Sequence, residues 1–127
     1  MTPDVPSVLS ELAQLLVRNA APGVPDGERA NALGLSSLLL SVAAEVWDGA
    51  AEALVQENRA LAALLGDTAA EADLRLSSLR AENARLRGLL IAAHVAAEQA
   101  GDTAREEAIW AELRASTERR KLSVSLV

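Results

Sequence analysis

Leu33, Leu40, Trp47, Leu54 and Leu61 recur every seven residues. The positions three and four further on are small or apolar: Ser36 and Ser37, Ala43 and Ala44, Ala50 and Ala51, then Leu64 and Leu65. This spacing predicts one long helix over about 27–65, with large and small side chains alternating along a seam that lets a partner helix come close. Gly34 and Gly49 each weaken such a helix by roughly 1 kcal/mol relative to alanine. A break near Asp48-Gly49 therefore competes with the single-helix reading, which is preferred. A matching seam (Ala72, Leu76, Leu79, Asn83, Leu86, Leu90, Ala93, Ala97) predicts a helix over 68–100. A shorter one at about 7–20 carries Val8, Leu9, Leu12, Leu15 and Leu16, and another at about 103–121 presents Ile109, Trp110 and Leu113. Sustained apolar–polar alternation, the mark of strands, is nearly missing. The expected fold is all-α: a long antiparallel hairpin, 27–65 with 68–100, on which the two shorter helices pack as a bundle in one domain, 1–127.

The punctuation agrees. Gly66-Asp67-Thr68-Ala69-Ala70-Glu71 and Gly101-Asp102-Thr103-Ala104-Arg105-Glu106 are near-copies of one stop-start signal. In each, glycine suits the left-handed residue after a helix end, threonine the N-cap of the next helix, and glutamate three residues on the closing of a capping box. Two prolines and two glycines in 21–27 mark a linker, with Asp26 as N-cap for the long helix after it. Residues 123–127 form a tail too short to assign.

A tight turn at Gly66-Asp67 makes the long helices antiparallel, with paired positions summing to about 134 by construction of the turn. The uncharged stretch Ala30–Ala44 then faces roughly 90–104, overlapping a second uncharged stretch, Gly88–Ala97. There the second helix adds the stripe Leu35, Leu38, Leu39, Val42 and Val46, and the third adds Leu89, Ile91 and Val95. A helix apolar on more than one face needs more than one neighbour. The first helix, the fourth helix or a second protomer can supply it; a homodimer is expected, with Leu35, Leu39 and Val42 among its contacts. Toward Gly66 only a narrow seam remains, and the pair projects there as a two-helix arm.

Composition narrows the chemistry. The chain has 127 residues and a net charge of −6, which argues against nucleic acid, where a basic face supplies affinity. The basic run Arg119-Arg120-Lys121 is read as cations complementing the end of a helix dipole. Phe and Tyr are absent and Trp47 and Trp110 are the only aromatics, so alanine-rich faces must approach closely. The excess of arginine over lysine, with the alanine content, suggests a GC-rich bacterial source. There is no cysteine, which removes disulfide and thiolate chemistry. Met1-Thr2-Pro3-Asp4 lacks the basic and apolar run of a secretion signal, and Ala30–Ala44 is shorter than the ~20 residues of a bilayer span. The expectation is a cytoplasmic protein that does not enter membranes.

His94 is the single histidine, with Glu98 one turn later and Glu45 near it in the tight-turn register. Three such groups could bind a metal, but carboxylate-bridged bundle sites carry Glu-x-x-His on two helices, and none occurs. No nucleophile elbow or phosphate loop is present, so neither catalytic residues, metal nor cofactor are assigned. Asn58 and Asn83 fall on or beside the seams, each in a Glu-Asn-x-x-Leu context. Polar seam residues can fix register and partner number. In the tight-turn register they do not face each other, so a mutual hydrogen bond would need a second chain. Trp47 is expected opposite position 87, within cation–π reach of Arg87, and is read as core or as a partner anchor.

Asn31-Ala32-Leu33, Leu61-Ala62-Ala63-Leu64-Leu65-Gly66 and Leu113-Arg114-Ala115-Ser116-Thr117 running to Lys121-Leu122 resemble a small bacterial all-helical family. Its members accompany aminoglycoside-phosphotransferase-like kinases and acyl-CoA dehydrogenases, and the likeness covers roughly 28–123. The resemblance implies an accessory protein of a metabolic enzyme, with no catalytic residues to carry over. The expected function is a non-catalytic interaction or oligomerisation protein, an adaptor or accessory subunit. The alternative is a bundle enclosing a small apolar ligand, lined by Leu38–Val42 and Leu90–Val95.

Overall fold

The computed structural model describes residues 4–69 and 71–123, and every regular element among them is helical. Four α-helices succeed one another: α1 (Val5–Leu15), α2 (Glu28–Leu65), α3 (Leu76–Ala100) and α4 (Thr103–Arg119). α2 runs unbroken through Gly49, as the seven-residue recurrence predicts. The chain gathers into two compact units, residues 4–49 with 122 and 123, and Ala50–Lys121, so α2 contributes to both. No helix among the described residues is long and apolar enough to cross a membrane. The tail from 124 onward lies outside the described residues.

In the first unit, α1 starts earlier than its apolar stripe suggests, because the Asp4 carboxylate caps it by accepting the Ser7 N–H at 3.2 Å. It leaves the α form at Leu16, continues as a π turn to Ala20 and tightens into a 3₁₀ turn over Ala21–Gly23, where Pro22 ends it. α2 opens on Gly27 rather than Asp26, since the Asn31 N–H donates to the Gly27 carbonyl at 3.0 Å. α1 meets α2 through small residues. Ala13 is buried, the Ser37 hydroxyl donates to the Ala13 carbonyl at 2.9 Å, and Ala44 is the other buried apolar residue among those described in this unit. The predicted α1 stripe divides: Leu9 and Leu16 are half-buried on the Ala13 side, while Val8, Leu12 and Leu15 are exposed.

In the second unit, Gly66 and Gly101 end α2 and α3 by the same device. Each is left-handed, at φ 69° and 65°. Each precedes an aspartate whose N–H reaches back to close a Schellman motif: Asp67 to the Ala62 carbonyl at 2.9 Å and Asp102 to the Ala97 carbonyl at 3.0 Å. Beyond the aspartate the two turns diverge. Asp102, not Thr103, caps α4, accepting the Arg105 N–H at 3.0 Å, so no capping box with Glu106 forms. Asp67 is spent elsewhere, on the Thr68 N–H at 2.7 Å and on Arg85 at 2.9 Å. Glu71, the expected box partner, pairs with Arg59 instead. The helix predicted from 68 therefore does not start there. The described residues between Gly66 and α3 are non-helical, and Asp73 accepts the Arg75 N–H at 3.0 Å and the Ser78 hydroxyl at 2.7 Å at the start of α3.

That delay overturns the tight-turn register. Position 58 was expected beside 76, yet Asn58 meets Leu79 and Asn83, while Glu57 meets Asn83 and Arg87. It also overturns the thin projecting arm. Leu61 and Ala62, next to the Gly66 turn, share a buried hydrophobic cluster with Leu86, Leu90 and Ile109. Leu64, Leu65, Ala69, Ala93 and Leu113 pack around it. α4 supplies the third wall through Ile109, so this end has the neighbour that the two-helix reading denied it. The α3 seam is otherwise as predicted, with Leu79, Asn83, Leu86, Leu90 and Ala97 buried.

Candidate functional site

Each unit offers one feature that packing alone leaves unexplained. In the first it is an apolar helix face without cover. At 100° per residue, Leu35, Leu39, Val42 and Val46 project from one side of α2, and Ser37, Ser41 and Ala44 from the opposite side. α1 takes the second side, through Ala13 and Ser37. The first stays largely open: Leu35 and Leu39 are each 57% exposed and Val46 is exposed, while Val42 is half-buried. Trp47, at the edge of this stripe, is 54% exposed and is not core. The expected pairing with Arg87 is not what Arg87 makes, since its guanidinium bonds to Glu57, Asn83 and Ser116. Leu35, Leu39 and Trp47 thus remain available as contact residues.

The second feature is a buried polar cluster. Glu57, its side chain 4% exposed, receives Arg87 at 2.5 Å and Arg120 through two nitrogens at 2.7–3.1 Å. Asn83 donates to both the Glu57 carboxylate at 3.1 Å and the Asn58 side-chain oxygen at 2.9 Å. Asn58 donates in turn to the Leu79 carbonyl at 3.1 Å, and Arg87 reaches the Ser116 hydroxyl at 3.3 Å. Burial by itself would raise the Glu57 carboxyl, but the bonds from Arg120, Arg87 and Asn83 outweigh it and bring it down to about 2 from an ordinary 4.5. The carboxylate is held ionised, with its lone pairs filled, and presents no free atom to a substrate.

Asn58 and Asn83 therefore bond to each other within one chain, contrary to the expectation that this would need two. The correction stems from the late start of α3, which brings 83 rather than 76 to position 58. Arg120 likewise does more than complement a helix dipole, since it closes the cluster from beyond the end of α4. Sequence reading missed Glu57 as the centre. A signal was present: Glu57-Asn58 interrupts the Leu54–Leu61 interval of the seam, and Asn83 and Arg87 stand one turn apart on the facing helix.

His94 presents its ring edge-on to Trp110, with centroids 5.5 Å apart and planes at 90°. Its Nε2 lies 3.7 Å from the Glu98 carboxylate, beyond hydrogen-bond range. Glu45 is engaged by the Ser123 N–H and hydroxyl, both at 2.6 Å, which lowers its carboxyl. No group of three potential ligands that could hold a metal exists among the described residues. Leu90, Ile91 and His94 line a hollow of about 120 Å³ in the second unit, and Ala13, Val17 and Ser41 one of about 220 Å³ in the first. Both fall below the ~300 Å³ at which pockets for small molecules begin, whereas two shallow surface hollows are larger, about 480 Å³ beside Asp4, Ser10 and Glu45 in the first unit and about 450 Å³ beside Asp73, Ser78 and Arg85 in the second.

No protein-family model matches the chain, and no curated protein or solved structure matches it.

Proposed function

We propose that this chain is a non-catalytic helical interaction protein, an adaptor or accessory subunit, which docks through the open face of α2 in its first unit. The observation that carries this reading is the contrast within that unit: Leu35, Leu39, Val46 and Trp47 of α2 face solvent, while the buried apolar residues among those described are Ala13 and Ala44. Covering four half-exposed large side chains is worth about 1 kcal/mol each, enough to reward a partner that fits. The cluster at Glu57 supports it from the other side. Its charged groups are consumed in holding three helical segments together, leaving a rigid base rather than a reactive centre.

The test is the double variant Leu35→Asp/Leu39→Asp. Both positions are exposed, so circular dichroism is expected to keep its helical signal. Association, read by light scattering on the pure chain and by recovery of bound protein, is expected to disappear. Wild type and variant behaving alike in both assays would refute the reading.

A further inference from the structure

We infer that the occupant of the open α2 face is a second copy of this chain, the two α2 segments pairing antiparallel about a two-fold axis level with Leu40 and Ser41. This rests on the docking role given to that face above and names its partner.

Three observations select a copy over another protein. The first is positional. Leu35 and Val46 stand equally far from the midpoint between 40 and 41, and so do Leu39 and Val42. An antiparallel two-fold therefore sets Leu35 against the second copy's Val46 and Leu39 against its Val42. A symmetric interface must be complementary to itself, and this stripe is. The second is charge. At −6 overall, two copies repel wherever charged surfaces meet, but residues 30–44 carry no charge at all. Glu45, the first charge beyond that run, is turned to Ser123. The face thus lets like chains meet without repulsion and gives a charged partner nothing to pair with. The third is shape. Ala32, Ser36 and Ala43 border the stripe on one edge, so the axes can approach closely. The Trp47 indole, projecting from that same edge near the far end of the stripe, then falls over Ala32 and Ser36 of the second copy.

The absence of cysteine makes the geometry directly readable. Chains carrying Leu35→Cys and chains carrying Val46→Cys are treated with a short bismaleimide, separately and mixed, at a concentration where sedimentation equilibrium shows association. The mixture is expected to give cross-linked dimer, with each variant alone giving far less. In the same sedimentation assay, Leu39→Asp is expected to weaken association by roughly ten-fold or more. Leu39→Lys mixed with Val42→Glu should recover it, which guards against a variant that merely misfolds. Self-linking of Leu35→Cys as efficient as the mixture would overturn the antiparallel two-fold. So would a wild-type chain that stays monomeric at every concentration; binding of a different protein by that monomer would keep the docking role while removing this partner.

Discussion

The two units are built from the same residues to different effect. Both are leucine- and alanine-rich and both use α2. Yet Ala50–Lys121 buries Leu61, Leu79, Leu86, Leu90 and Ile109, whereas the described residues of the other bury Ala13 and Ala44. The difference lies in the number of walls. In the second unit α2, α3 and α4 enclose a volume, and large side chains can point into it. In the first, α1 meets α2 along one line, where small residues permit contact, leucines such as Leu9 and Leu16 are only half-buried, and Val8, Leu12, Leu15, Leu35 and Leu39 are exposed. Apolar content therefore does not measure a core. A helix pair buries what lies on its seam, and a third helix is needed before leucines disappear.

If that contrast is right, truncating large residues should separate the units sharply. Leu86→Ala is expected to cost about 4 kcal/mol in urea denaturation, because the side chain is fully enclosed and leaves a cavity. Leu35→Ala should change stability by less than about 0.5 kcal/mol at concentrations where the chain is monomeric. Equal effects at the two sites would collapse the distinction.

Next in size is Glu57→Gln, which leaves two guanidiniums against a neutral amide. Loss of a buried ion-pair partner costs 3–5 kcal/mol in general; about 2 kcal/mol is expected here because Arg120 is half exposed and can turn to water. The pH dependence has a definite sign. The Glu57 carboxyl ionises lower in the folded chain than in the unfolded one, so its contribution is complete above about pH 4.5 and is lost as pH falls toward 2. Acid titration followed by hydrogen exchange should show protection in α3 and α4 falling through that window in wild type. In Glu57→Gln that component of the slope should be missing.

The smallest effects concern glycine. Gly101→Ala places a side chain at φ 65° and is expected to cost about 1 kcal/mol. Gly49→Ala meets no atom within 4 Å in a continuous helix and should stabilise by about 0.7 kcal/mol. Thermal melts of both variants would check the pair, and a destabilising Gly49→Ala would mean that α2 needs its glycine there.

What could be read in advance tracked the range of the forces involved. The all-helical class, the length of α2 and the buried face of α3 come from periodicity and local propensity, which a sequence displays directly. The left-handed ends at Gly66 and Gly101 are equally local. The start of α3 was misplaced because Thr68-Ala69-Ala70-Glu71 has the letters of a cap, while the groups that would close it bind Arg59 and Arg85, distant in sequence. The errors in the register, the arm and the separation of Asn58 from Asn83 descend from that one. Leu35 and Leu39 stand out in one dimension as apolar residues in excess of one stripe, whereas Trp47 belongs to the seven-residue seam and is nonetheless exposed. Glu57 could not be ranked above its many acidic neighbours, since its importance depends on Arg120, sixty-three positions away.

α2 also bears on how the weaker half comes to be ordered at all. Starting a helix is its costly step, whereas each added residue brings its own backbone hydrogen bond. Once the turns around Leu61 are clamped, winding can spread toward Glu28 without a second initiation. The amino-terminal stretch would then be templated by its carboxy-terminal continuation, a sleeve extended from a fixed cuff. Cut loose at residue 49, it should unravel although none of its own contacts had been touched.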